Sequence, residues 1–158
     1  AGQGAESFAA ANGLDQVEPS YFFTERRWQS LLRELKKRGL PAPERPAGAP
    51  KAQAIEWIEE EPKKYGTVGV VALDRDGNLA AGTSTGGVTA KRYGRVGDTP
   101  IIGAGTYATN QSCAVSATGT GEYFIRLTVA REICALVQYK GMKVQAAADE
   151  VVPLFVSL

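Results

Sequence analysis

The spacing of apolar positions changes character twice along the 158-residue chain. In TERRWQSLLRELKKRG, residues 24–39, Trp28, Leu31, Leu32 and Leu35 recur three and four apart, which predicts an amphipathic helix. Thr24 offers an N-cap side chain and Gly39 a C-terminal stop. The basic run Lys36 to Arg38 reads as a solvated last turn that suits the helix dipole. A short Ala-rich helix over residues 4–12, closed by Gly13, precedes it. Between Leu40 and Gly66 the periodicity is lost. PAPERPAGAP holds four prolines in ten residues, which neither a helix nor a central strand tolerates. Residues 40–66 therefore read as an exposed, mobile linker, with one or two helical turns around Trp57 before Pro62.

From Thr67 onward the pattern is first that of strands. TVGVVALD and NLAAGTST flank RDG, a three-residue hairpin signal with Gly77 available for the left-handed position. That loop pairs residues whose numbers sum to 152, so Thr67 lies opposite Thr85, within reach of a hydroxyl–hydroxyl bond. A two-residue Asp-Gly turn would instead bring Gly86 there. A second β region is expected from about Ile101 to Ala117, with a bend at Gly103 and Gly105. Helical spacing returns over residues 122–140, with a stripe of Ile125, Val129, Ile133, Leu136 and Val137 ended by Gly141. KVQAAADEVV predicts one more helix. The class is α+β.

Length allows one domain with a real core. Acids and bases are interleaved and the net charge is +1, which gives no electrostatic case for nucleic acid or a membrane surface. No apolar run approaches a membrane span, and the first residues lack the basic start of a signal peptide. The two cysteines, Cys113 in an expected strand and Cys134 in an expected helix, read as buried small apolar residues rather than a disulfide. That favours a reducing, cytoplasmic location. The chain has no histidine, which excludes Ser-His-Asp and Cys-His machinery and removes the commonest zinc ligand.

A hydrolase without histidine needs another base, and the step from Gly66 to Thr67 can supply one. An N-terminal threonine can be activated by its own α-amino group, which exists only after the preceding bond is broken. Gly66, lacking Cβ, permits close attack on its carbonyl. Thr67 is thus a candidate nucleophile that frees itself, although an ordinary threonine opening a buried strand is the simpler reading of these features alone.

Wider stretches carry a resemblance. GTVGVVALDRDGNLAAGTSTGG, GRVGDTPIIGAGTYA and ATGTGE together resemble the plant-type L-asparaginases, also called isoaspartyl peptidases, which are N-terminal-nucleophile hydrolases. Upstream, GQGAESFAAANGLDQVEP is also similar to the segment before that family's linker. The resemblance runs from about Gly2 to Val152. It implies an αββα sandwich, here partial, cut between Gly66 and Thr67 into an α-subunit-like segment 1–66 and a β-subunit-like catalytic segment 67–158. It implies Thr67 as nucleophile and Thr85 as its hydrogen-bonding partner. Arg95 would bind the substrate's α-carboxylate and Asp98 its α-ammonium, a match of guanidinium fork to carboxylate and of carboxylate to ammonium. A surface ion pair is the reading these two would have without the flanking motif.

The Thr118 side chain and Gly119 N–H would form the oxyanion hole, with Gly121 touching substrate where a helix opens. The implied substrates are L-asparagine and β-aspartyl dipeptides, and the implied assembly is a dimer of αβ pairs. No catalytic cofactor or catalytic metal is implied. The family's structural sodium belongs to an N-terminal segment that this chain lacks. Family precursors are about twice this length, so the chain is expected to be shortened at both ends. Two other readings stand beside the hydrolase: a non-catalytic relative serving as a structural or binding module, and a glycosylasparaginase.

Overall fold

The structure, a computed structural model, describes residues 2–50 and 66–155. Contacts divide it into two compact units, Ala1–Lys63 with Val88–Tyr93, and Lys64–Gly87 with Gly94–Leu158.

In the first unit the two expected helices form as α1 (Gln3–Ala11) and α2 (Glu25–Lys37). The Thr24 hydroxyl accepts a hydrogen bond from the Arg27 N–H at 3.4 Å, the cap that its position predicts. Gly39 follows α2 at φ +65°, a left-handed stop that glycine adopts without strain. The proline-rich stretch carries no regular structure over its described part, yet Arg45 pins it. The Arg45 guanidinium pairs with Glu25 at 2.6 Å, donates to the Pro50 carbonyl at 2.6 Å and lies 4.6 Å from the Phe23 ring centroid. The helical turns expected around Trp57 lie outside the described residues.

The second unit begins with the hairpin. Strands β1 (Thr67–Leu73) and β2 (Leu79–Thr85) pair antiparallel in the register that sets Thr67 opposite Thr85 and Leu73 opposite Leu79. The loop is the three-residue one, with the Asp74 N–H donating to the Asn78 carbonyl at 3.0 Å and Gly77 at φ +85°. The Asp74 carboxylate locks it by accepting from the N–H groups of Asp76 and Asn78 and from the Asn78 side chain. The Asn78 side chain, and then the backbone N–H bonds, hold the Asp74 pKa below its usual value.

Three expectations fail here, each for a physical reason. The second β region is not continuous. It consists of β3 (Thr106–Ala108) and β4 (Ala114–Ser116), joined by a turn. The expected single helix over 122–140 breaks into α3 (Gly121–Leu127) and α4 (Val129–Lys140), with Thr128 between them at φ 46°. The cause is distant in sequence. The first turn of α4 turns its free N–H groups onto the loop before β3, from Ala130 to the Ala104 carbonyl and from Arg131 to the Gly103 carbonyl. The cysteines are not separate either. Cys113, in the turn just before β4, and Cys134, on α4, form a disulfide with their Cα atoms 5.4 Å apart. Packing α4 on β3 and β4 brings them together, a closeness that no spacing rule in sequence announces. The paired cysteines remove the ground for expecting a reducing compartment.

The core lies between the β3–β4 pair and the helices. Cys113, Phe124, Val129, Ile133, Cys134 and Leu136 meet Ala147 and Val151 of α5 (Val144–Val151), the last expected helix. The strand β1, in contrast, is not buried. Every residue of β1 after Thr67 is exposed: Val68 and Val70 on one face are 72% and 63% exposed, and Val71 and Leu73 on the other are 53% and 69%. The expectation of a buried strand is therefore wrong for the described residues, because no described element buries these side chains.

Candidate active site

The hairpin register delivers a cluster of three threonine hydroxyls at the mouth of the second unit. Thr67 opens β1, Thr85 closes β2 and Thr118 follows β4. The Thr118 hydroxyl donates to Thr67 Oγ1 at 3.0 Å, and Thr67 donates to Thr85 Oγ1 at 3.1 Å. Thr85 in turn donates to the carbonyl oxygen of Gly66 at 2.9 Å, while accepting from the Gly87 N–H at 3.1 Å. Each hydroxyl spends its single proton on the next, and the chain ends on the carbonyl of the peptide bond that precedes Thr67. Cooperative polarisation along such a run strengthens its terminal bond.

A second cluster lies along the 95–98 loop. Asp98 is 6% exposed, and its Oδ2 has no hydrogen-bond partner in the structure. An unpaired buried carboxylate oxygen is costly unless a cation comes to it. Glycines make its niche. A Cβ on Gly105 would stand 2.7 Å from Asp98 Oδ2, and a Cβ on Gly121 2.9 Å from Asp98 Oδ1 and 3.1 Å from Arg95 Nη2.

Arg95 is not paired with Asp98 as a simple surface pair. Its Nε and Nη2 donate to the two carboxylate oxygens of Glu122 at 2.8 and 3.0 Å, a bidentate fork. The Glu122 hydrogen bond raises the Arg95 pKa above its usual value, with the charges of Glu122 and Asp98 adding to it. Conversely, the Arg95 hydrogen bond and the backbone N–H of Glu122 hold the Glu122 carboxyl below its usual value. The fork leaves three of the five guanidinium N–H groups for another acceptor.

The segment 118–121 joins the two clusters. Thr118 stands in the hydroxyl chain at one end, and Gly121 sits against Asp98 and Arg95 at the other. Gly119 lies between, so close to the Phe124 ring that a Cβ would approach Phe124 Cε2 to 2.6 Å. Of the residues singled out in the sequence, Gly66, Thr67, Thr85 and Thr118 touch one another directly, and Arg95, Asp98 and Gly121 form the second group. The helix behind Gly121 is α3, seven residues long, so it brings a weaker dipole than the long helix expected from the stripe. Two participants were not singled out. Glu122 is the last residue of TGTGE, and its bond to Arg95 spans 27 residues. The sequence marks Gly105 only as a bend. Among the described residues no group of three His, Cys, Asp or Glu could hold a metal ion, and no helix is long and apolar enough to cross a membrane.

This geometry can be set beside known proteins. Residues 1–156 match the family described as "Asparaginase". The chain belongs to the asparaginase family. Within it, this asparaginase-family chain is 50% identical over 151 residues to the isoaspartyl peptidase of Escherichia coli K12, covering 96% of the chain and 44% of that relative. It is 49% identical to the isoaspartyl peptidase of Salmonella typhimurium, again over 96% of the chain and 45% of the relative. The isoaspartyl peptidase/L-asparaginase of Rattus norvegicus is 46% identical over 82% of the chain and 34% of its own length. The chain thus spans less than half the length of these relatives.

Proposed function

We propose that this chain carries the nucleophile-bearing part of a threonine amidohydrolase. The polypeptide containing it would cut itself between Gly66 and Thr67 and then hydrolyse the side-chain amide of L-asparagine and of β-aspartyl dipeptides. The observation that carries the reading is the directed run of hydroxyls from Thr118 through Thr67 and Thr85 to the Gly66 carbonyl. It joins the nucleophile to the carbonyl it would attack.

Self-cleavage follows from that run. Thr67 Oγ1 adds to the Gly66 carbonyl carbon while its proton passes to Thr85 Oγ1, and the Thr85 proton passes to the developing Gly66 oxyanion. Breaking the C–N bond and returning a proton to nitrogen leaves an ester on Thr67 and a free amine. Water then hydrolyses the ester to a Gly66 carboxylate and regenerates the hydroxyl. The freed α-amine, with an unperturbed pKa of about 7.7–8.0, becomes the general base for later turnovers.

In turnover, Thr67 attacks the side-chain carbonyl of the substrate. Ammonia or an amino acid leaves, and water cleaves the aspartyl ester. Thr118 and the Gly119 N–H would stabilise the oxyanion. The unengaged N–H groups of Arg95 suit the substrate's α-carboxylate, and Asp98 Oδ2 suits its α-ammonium. The reaction needs no cofactor, and the sodium implied by the family resemblance is assigned to no residue of this chain. On the same reading residues 1–66 and 67–158 fall on opposite sides of the cut, within an α-like and a β-like product that are parts of an αββα sandwich in an (αβ)2 assembly.

Intact mass and N-terminal sequencing of purified protein test the cut, with Thr67→Ala as control. The expected result is two fragments, one beginning Thr-Val-Gly-Val and absent from the control, followed by ammonia release from L-asparagine. A single chain indistinguishable from the control would refute self-processing. It would favour a relative that keeps the motif without the chemistry.

A further inference from the structure

Behind the three threonines stands a second tier of side chains that the chemistry above does not use. Moving two residues along each strand from the site keeps the same face of the sheet. From Thr67 that step reaches Gly69 and from Thr85 it reaches Thr83, while Ser116, the last residue of β4, stands two residues before Thr118. The register preserves the correspondence, since Gly69 pairs with Thr83 as Thr67 pairs with Thr85. Thr83 Oγ1 and Ser116 Oγ are 2.7 Å apart. The Thr106 hydroxyl, on the residue paired with Ser116 across β3 and β4, donates to Thr83 Oγ1 at 2.5 Å. Thr106 Oγ1 also lies 3.3 Å from the carbonyl oxygen of Thr99, the residue after Asp98.

The vacancy in this tier is as informative as the hydroxyls. A Cβ on Gly69 would overlap the Ser116 hydroxyl and stand 2.9 Å from Ser116 Cβ. The missing side chain at position 69 is therefore the space that Ser116 fills on its way to Thr83. These bonds run between the two sheets, from β2 to β4 and from β2 to β3, where backbone ladders do not reach. They are part-buried, so water competes for them poorly.

We infer that Thr83, Ser116 and Thr106, admitted by Gly69, are positioning residues for the threonine nucleophile. They fix the hairpin that carries Thr67 and Thr85 against the strand that delivers Thr118. Through Thr99 they also fix the loop that carries Asp98. None would touch substrate. Apolar replacements would fill the same volume without setting a direction, and the two sheets would be free to slide by fractions of an ångström. Misplacement on that scale is expensive for a reacting group, and roughly 1 Å costs on the order of a hundredfold.

The inference rests on the threonine-hydrolase reading, and its test separates the two. Self-cleavage rate, kcat, KM and melting temperature are compared for wild type, Thr83→Val, Thr83→Ser and Gly69→Ala, with Thr67→Ala as the blank. Crystal structures of wild type and Thr83→Val are compared alongside. For Thr83→Val we expect self-cleavage and kcat to fall roughly ten- to a hundredfold, with KM changed far less. Thr83→Ser, which restores only the hydroxyl, should recover most of the loss, and Gly69→Ala should resemble Thr83→Val. In the Thr83→Val crystal the Thr118–Thr67 hydroxyl contact should open beyond hydrogen-bonding distance.

Three results would overturn the inference: wild-type rates in Thr83→Val, no recovery with serine, or an unchanged Thr118–Thr67 contact. If wild type itself failed to cut, the hydrolase reading would fall, and the hydroxyl contact in the crystals would still decide whether the tier positions Thr67.

Discussion

Thr85 binds both ends of the proposed reaction, accepting from the nucleophile and donating to the carbonyl under attack. Thr85→Val keeps the β-branched shape that suits a strand and removes both bonds. Self-cleavage should slow by roughly a hundredfold, the cost of losing one preorganised donor, as followed by the disappearance of intact mass. Gly121→Ala tests the other cluster. The added Cβ meets Asp98 Oδ1, Arg95 Nη2 and the Asp98 backbone N at this buried position, so KM should rise and the melting temperature should fall.

Glu122 gives a prediction in pH. Its native pKa is depressed by Arg95, so the pair contributes fully above the ordinary glutamate value and loses that contribution as pH falls through the lower native one. Wild type should therefore melt above Glu122→Gln near neutrality, and the gap should close on acidification through that window. At this scale the sequence was most legible where partners are local. The Thr67–Thr85 pairing follows from counting across one loop. The Arg95–Glu122 fork joins residues that no periodicity links, and it became visible only when α3 was placed.

The hairpin could be read from its own residues because Asp74, Asn78 and Gly77 carry all its loop chemistry within five positions. The helix behind the site could not. Its apolar stripe runs on through Thr128, but the loop carbonyls of Gly103 and Ala104 claim the first N–H groups of α4 and force a restart there. A β-branched residue in the left-handed region is strained, so Thr128→Gly should stabilise the unit by about 1 kcal/mol in chemical denaturation. The disulfide was hidden for the same reason: its partners meet only once α4 lies on β4. Replacing both cysteines by alanine removes a link that closes 21 residues of sequence, and should cost about 3 kcal/mol in the same measurement.

Across the chain, exposure is uneven. The helices α3 to α5 and strands β3 and β4 enclose a core, whereas β1 leaves Val68 and Val70 in water. The sequence presents β1 as a buried strand because TVGVVAL is an almost unbroken apolar run. Whether a strand is covered depends on what packs against it, which the strand itself does not encode. This apolar face should bind an environment-sensitive dye, and Val70→Thr should reduce the fluorescence without disturbing the hairpin.

The position of the disulfide has a consequence at the bench. Cys113 and Cys134 are the chain's two cysteines, and both follow Thr67. Within this chain, a cut before Thr67 would therefore leave no covalent tether between its two parts. A denaturing gel run without any thiol reagent should already resolve two bands, so the maturation of the protein could be timed while its crosslink stays intact.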